Sequence, residues 1–329
     1  MSILTSPENP YDFFNVRFPS VEDFGDKQLK AFWMPSDVSY AEDGKTFETL
    51  DEKTKKMVEM TIGFFFSSDG IVFSNLGSNF KEEIKTPEVQ YTYTAIETIE
   101  LIHAKSYGRQ LDAIVRDPSK KQKLMMAIVN IPSIKMMADW AMEYTERTKY
   151  SLLERLMAFL CVEGIFFSSP FAFIFWIRKY HPRKIEGIVA ANDLISRDEN
   201  LHCEFAVHII NLLQMEGMHT DKGCEIFKSA VEVALQFVRE TLTSDFLDMN
   251  KDHMSRHVKS VANRWATLIQ LPLLYPDCKQ SPFKFIENIS LEVKKNFFEK
   301  NATEYQKSPP MKIGFADGNS EKLFEEEQW

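Results

Sequence analysis

Glycine is scarce in this sequence, 12 residues in 329. That argues against a glycine-rich phosphate loop and against an all-β fold built on tight turns. Cysteine is scarcer. Cys161, Cys203, Cys224 and Cys278 stand far apart with no Cys-x-x-Cys pair, which excludes a thiolate zinc site and a disulfide framework and fits a reducing compartment. Basic residues are outnumbered, 39 Lys and Arg against 48 Asp and Glu, for a formal charge of −9. Phosphate neutralisation dominates nucleic-acid affinity, so nucleic acid is disfavoured as a partner. The first ten residues hold neither a basic segment nor an apolar one, and a cytoplasmic protein is expected. Strand-type alternation of apolar and polar residues is missing, and no proline falls between Pro182 and Pro272.

What is present is apolar and aromatic. Hydrophobic residues make up 44% of the sequence and Phe alone accounts for 27 positions, so a large, ring-filled interior is expected. The run Leu156–Ile177 imitates a membrane span, but it contains Glu163 and Ser168-Ser169-Pro170. A mid-span carboxylate is costly in lipid, so a buried core helix of an all-α bundle is expected instead, with no membrane partner. Helical periodicity predicts segments over 26–34, 51–80, 86–115, 118–128, 133–146, 150–178, 183–215, 222–246, 253–270 and 283–305. Residues 1–24 read as an arm, 25–305 as one helical domain, and 306–329 as a mobile tail with the large apolar Phe324 and Trp329 near its end.

Three histidines follow a glutamate by three residues, a spacing that puts both side chains on one helix face. Glu216-x-x-His219 lies beside Gly217 and reads as a solvated helix end. Glu100-x-x-His103 and Glu199-x-x-His202 interrupt apolar stripes, Ile96–Tyr107–Ile114 and Ile195–Ala206–Leu213. Two more stripes are each broken by one acid: Asp69 among Val58, Ile62, Phe65, Val72 and Leu76, and Glu163 among Leu156, Leu160, Phe167, Phe171 and Ile174. A lone buried carboxylate is expensive unless paired or metal-bound. The order acid, Glu-x-x-His, acid, Glu-x-x-His repeats once, which predicts a carboxylate-bridged dinuclear site at the centre of four helices. Four carboxylates also balance two trivalent ions and one oxide. Oxygen and imidazole donors without thiolate suit iron or manganese.

At these residues the sequence resembles the small, radical-generating subunit of class I ribonucleotide reductase, eukaryotic or viral type. The matching strings are Ser68-Asp69-Gly70-Ile71-Val72, Ile99-Glu100-Leu101-Ile102-His103 with Tyr107, Val162-Glu163-Gly164-Ile165-Phe166-Phe167-Ser168, Ser196-Arg197-Asp198-Glu199-Asn200-Leu201-His202-Cys203, Val261-Ala262-Asn263-Arg264-Trp265 and Glu287-Asn288-Ile289-Ser290-Leu291-Glu292. The resemblance implies a ferritin-like bundle with additional helices that generates and stores a tyrosyl radical using two iron ions per chain and O2. It implies Asp69, Glu100, His103, Glu163, Glu199 and His202 as metal ligands, and Tyr107 as the radical site in an apolar pocket of Phe167, Phe171 and Ile195. It further implies radical transfer through Trp33, Asp198 and Tyr305 to a large catalytic subunit bound through the C-terminal tail, and a homodimer of this chain. The output is reduction of ribonucleoside diphosphates for deoxyribonucleotide biosynthesis and DNA replication. Two alternatives stay open here: a dimetal oxygenase or desaturase on the same scaffold, which would want a substrate tunnel, and a ferritin-like iron store, which would need no Trp33–Asp198 pair.

Overall fold

The computed structural model describes residues 2–286 except 6, 7, 10 and 11, leaving the side chains of 71–74 and 77–78 aside. Its helices are α1 (Pro19–Lys30), α2 (Asp43–Glu48), α3 (Glu52–Asn75), α4 (Lys81–Glu83), α5 (Pro87–Ile114), α6 (Pro118–Met125), α7 (Ala127–Asn130), α8 (Pro132–Glu143), α9 (Leu152–Cys161), α10 (Ser168–Tyr180), α11 (Glu186–Met215), α12 (Gly223–Thr241) and α13 (Lys251–Leu268). A π-helical turn, Leu76–Phe80, follows α3, and a second, Val162–Phe166, joins α9 to α10. No β-strand occurs among the described residues.

Local chemistry sets the helix starts. Proline occupies the first turn of α1, α5, α6 and α8, where its missing N–H costs nothing. Asp117 caps α6 by accepting from Ser119 and Lys120, Ser151 and Glu154 form a reciprocal box at α9, and Asn250 accepts from His253 at α13. The start of α11 has a remote cap: buried Asp43 accepts from the backbone of Gly187 (3.0 Å) and Ile188 (2.7 Å). Gly187 permits that approach, since a Cβ there would lie 2.2 Å from the Ser39 carbonyl oxygen.

Four long rods, α3, α5, α9–α10 and α11, enclose the centre, while α12 and α13 pack behind the second π-turn. The apolar run Leu152–Tyr180 is almost wholly buried in protein, as its Glu163 requires. Each fully buried Phe or Leu in such a core contributes about 1.5–3 kcal/mol. A buried, uncompensated charge costs several kcal/mol. The apolar bulk therefore fixes the fold, while the acids at its centre demand a separate explanation.

Two sequence expectations are corrected. The first helix begins at Pro19 rather than at 26, and Trp33 lies beyond its end. Glu216 is not mere solvated decoration. Its carboxylate accepts from the Ser2 hydroxyl (2.6 Å) and the Ile3 amide (2.7 Å), while Thr86 donates to the Ile3 carbonyl (2.6 Å) and the Ile3 side chain is fully buried. The start of the arm is docked on the bundle. The helix expected over 283–305 lies outside the described residues from 287 onward.

Candidate metal centre

Each rod delivers its acid to one point. Asp69 comes from α3, Glu100 and His103 from α5, Glu163 from the second π-turn, and Glu199 and His202 from α11. All six are buried, with at most 3% of any residue exposed. Their donor atoms form two overlapping sets, Asp69–Glu100–His103–Glu199 and Glu100–Glu163–Glu199–His202, with the atoms of each set within 4.8 Å of one another. Glu100 and Glu199 belong to both, the arrangement of two bridging carboxylates.

The donor atoms crowd one another. His103 Nδ1 lies 3.1 Å from Glu199 Oε1 and 3.4 Å from Glu100 Oε2. His202 Nδ1 lies 3.0 Å from Glu100, 3.1 Å from Glu199 and 3.7 Å from Glu163. Both oxygens of Asp69 and both of Glu163 have no hydrogen-bond partner. Buried polar atoms are almost always satisfied, so this convergence of orphaned oxygens fits a pair of metal ions.

The charge state of the bare protein shows the same crowding. Burial, then the charges of Glu100 and Glu199, pushes Asp69 well above the usual carboxylate range. Burial, then Glu199, does the same to Glu163. Burial would also raise Glu199, but the neighbouring Glu163 carboxyl and the His103 and His202 imidazoles outweigh it and bring its pKa down. Burial pulls both imidazoles down, yet the carboxylates around them win and hold His103 and His202 in the cationic form. Packing carboxylates and imidazoles this closely in an apolar interior displaces their pKa values in opposite directions.

Around this cluster the structure brings together most of the other residues singled out by sequence. Trp33 Nε1 donates to Asp198 Oδ2 at 2.8 Å, and His103 Nε2 lies 3.3 Å from the same oxygen. That hydrogen bond orients the ring and leaves Nδ1 toward the carboxylates. Tyr107 is fully buried, its hydroxyl has no hydrogen-bond partner, and burial followed by the charge of Asp69 pushes its pKa well up. Phe167 and Phe171 do not stack on it; they pack on Phe65, 5.6 and 5.0 Å between centroids. Phe65 itself lies parallel to the Tyr107 ring at 4.8 Å. Ile195 is fully buried on α11. Tyr305, Phe324 and Trp329 lie outside the described residues.

Two partners escape sequence reasoning. Phe65 sits on the Asp69 stripe, but a stripe does not tell which ring faces a tyrosine on another helix. Arg197 binds Asp198 Oδ1 through Nε (3.0 Å) and Nη2 (2.8 Å) and also reaches the Ala31 carbonyl (2.6 Å). Adjacent helix residues do not normally face each other, so nothing in the spacing signals that pair.

A helical bundle enclosing two overlapping carboxylate–imidazole sets defines a ferritin-like dimetal protein. The family model described as "Ribonucleotide reductase, small chain" matches residues 10–282, and the protein belongs to that family. It is 35% identical to the ribonucleoside-diphosphate reductase small chain of Nicotiana tabacum over 309 residues, 94% of this sequence and 92% of that one. Among solved structures, the ribonucleotide reductase R2 subunit from Clostridium botulinum superposes with a TM-score of 0.80 at 24% identity, covering 88% of this sequence and 94% of that one. Dimanganese(II)-NrdF of Streptococcus sanguinis gives 0.75 at 16% identity, over 85% and 98%. These last two likenesses bear on the fold. The protein is a small subunit of ribonucleoside-diphosphate reductase, and its core is a dimetal site.

Proposed function

We propose that Asp69, Glu100, His103, Glu163, Glu199 and His202 hold two iron ions and that Tyr107 stores the radical this subunit supplies. The observation that carries the proposal is the pair of overlapping donor sets sharing Glu100 and Glu199, with a fully buried tyrosine one helical turn from His103. Manganese suits the same donors; iron is our reading. Bound metal, with O2, supplies the oxidising power.

The protein's own part is to manage a proton and exclude water. Oxidation of Tyr107 requires loss of its phenolic proton, and we assign Asp69, the carboxyl whose charge bears most on that hydroxyl, as the acceptor. Phe65, Phe167 and Phe171 keep solvent and small reductants from the ring. Transfer out of the core uses Trp33. An oxidised indole becomes a strong acid at Nε1, and Asp198 already accepts that hydrogen at 2.8 Å. Arg197 and His103, both on Asp198, stabilise its charge. Tyr305 then relays the radical toward a large subunit, which docks through the tail and reduces the nucleotide in the cytoplasm. We propose a homodimer as the working form of this protein.

Metal analysis tests the ligand assignment. The intact protein should bind two ions, and Glu199→Ala or His202→Ala should fall well below two because each removes a donor. Two ions retained in both variants would refute it. An oxygenase would need open space for a substrate beside the cluster, whereas Phe65 and Tyr107, one helical turn from Asp69 and His103, are fully buried and stacked on each other.

A further inference from the structure

Glu163 gets little help from its neighbours at the centre. Neither of its oxygens receives a hydrogen bond, and its closest imidazole nitrogen is 3.7 Å away. Its main chain must therefore decide where the carboxylate points. That stretch of backbone is the π-turn Val162–Phe166, a rare geometry found most often as a single turn at functional sites.

The surroundings are supplied by α13. A Cβ built on Gly164 would lie 2.5 Å from Nε1 and 2.6 Å from Cδ1 of Trp265, so the buried indole lies directly on the backbone beside Glu163. Two turns away on α13, His257 Nε2 donates to the Ser168 carbonyl at 3.3 Å, just past the π-turn. The helix is itself clamped: Asn263 donates to the carbonyls of Tyr275 and Cys278 and accepts from the amides of Leu274 and Tyr275, at 2.8–3.1 Å. The Arg264 guanidinium lies over the indole at 4.6 Å from the ring centre. A rigid plate is pressed onto the one place in the turn where no side chain intervenes.

We propose that Trp265 is a positioning residue for Glu163: its indole, seated on Gly164, holds the π-turn in the register that aims Glu163 at Glu100, Glu199 and His202, and so sets the affinity of one of the two metal positions. The inference rests on Glu163 being a ligand, as proposed above. Only the Glu100–Glu163–Glu199–His202 set contains Glu163, so the effect falls on that position and spares the other.

The test is titration of the full-length, metal-free protein with Mn(II), read by electron paramagnetic resonance, which separates free, singly bound and coupled paired ions. Trp265→Ala should weaken one of the two Mn(II) ions by about 10–100-fold, the range expected when support around a ligand is removed, and leave the other unchanged. Gly164→Ala should do the same by forcing the indole off the turn. Trp265→Phe should recover much of the affinity, and the pair Gly164→Ala with Trp265→Leu should bind better than Gly164→Ala alone. Thermal melting of each variant reports folding, and Trp265→Phe keeps the test open if the alanine variant does not fold. Wild-type affinity for both ions in Trp265→Ala and Gly164→Ala, or equal weakening of both ions, overturns the proposal. Glu163→Ala separates the two claims. If it loses one ion while the Trp265 variants do not, only the positioning role fails; if it keeps both ions, the ligand assignment fails.

Discussion

Asp198 is where the residue scale is most informative, because one carboxylate serves three groups. It accepts from Trp33, faces His103 and is neutralised by Arg197. Asp198→Asn preserves the shape but removes the base. Metal occupancy should be retained, while nucleotide reduction with the large subunit should fall about 100-fold or more, the usual worth of a positioned proton acceptor. Assays with saturating large subunit check this. A second residue-scale prediction concerns His257. Burial lowers its pKa from 6.5 to about 4, against the weaker pull of its bond to the Ser168 carbonyl. The unfolded protein binds that proton near pH 6.5 and the folded protein only near 4, so stability is fully present above pH 6.5. It is lost as pH falls from there toward 4, by on the order of 3 kcal/mol. Denaturant melts at pH 7 and pH 5 should show the loss, and His257→Gln should flatten that interval.

Elements are legible where periodicity is strong. The stripes of α3, α5 and α11 place Asp69, Glu100, His103, Glu199 and His202 by spacing alone, because a helix face repeats on a fixed period. The same reasoning cannot see the π-turn, since an unbroken apolar run gives no mark of where one residue is inserted. Nor can it match faces between helices, which is why Phe65 reads as part of a stripe and only the structure seats it on Tyr107. At the N-terminus, Pro19 reads with the arm in sequence, whereas it opens α1. The docked arm yields an element-scale prediction. Glu216→Ala removes two hydrogen bonds to a carboxylate, worth about 1 kcal/mol at this exposed site. Limited proteolysis near the N-terminus should quicken, and metal content should stay unchanged. Loss of metal in that variant would mean the arm supports the centre.

At the scale of the whole molecule, the proposal hands the radical to a large subunit that docks through the tail. Removing residues 321–329 should leave metal uptake and the radical intact while abolishing nucleotide reduction in the mixed enzyme. A peptide of those nine residues should compete with the intact protein, and Ala at Phe324 and Trp329 should remove that competition. Full activity of the truncated protein at limiting concentration would show that docking lies elsewhere. The central claim, that the bundle exists to oxidise Tyr107, is tested most directly by one spectrum. The metal-free protein and its Tyr107→Phe variant are loaded with ferrous iron, exposed to O2 and examined by electron paramagnetic resonance beside a metal count. The account predicts two ions in both, a tyrosyl radical signal in the first and none in the second. An undiminished signal in Tyr107→Phe, or no signal from a wild-type protein holding two ions, would contradict it.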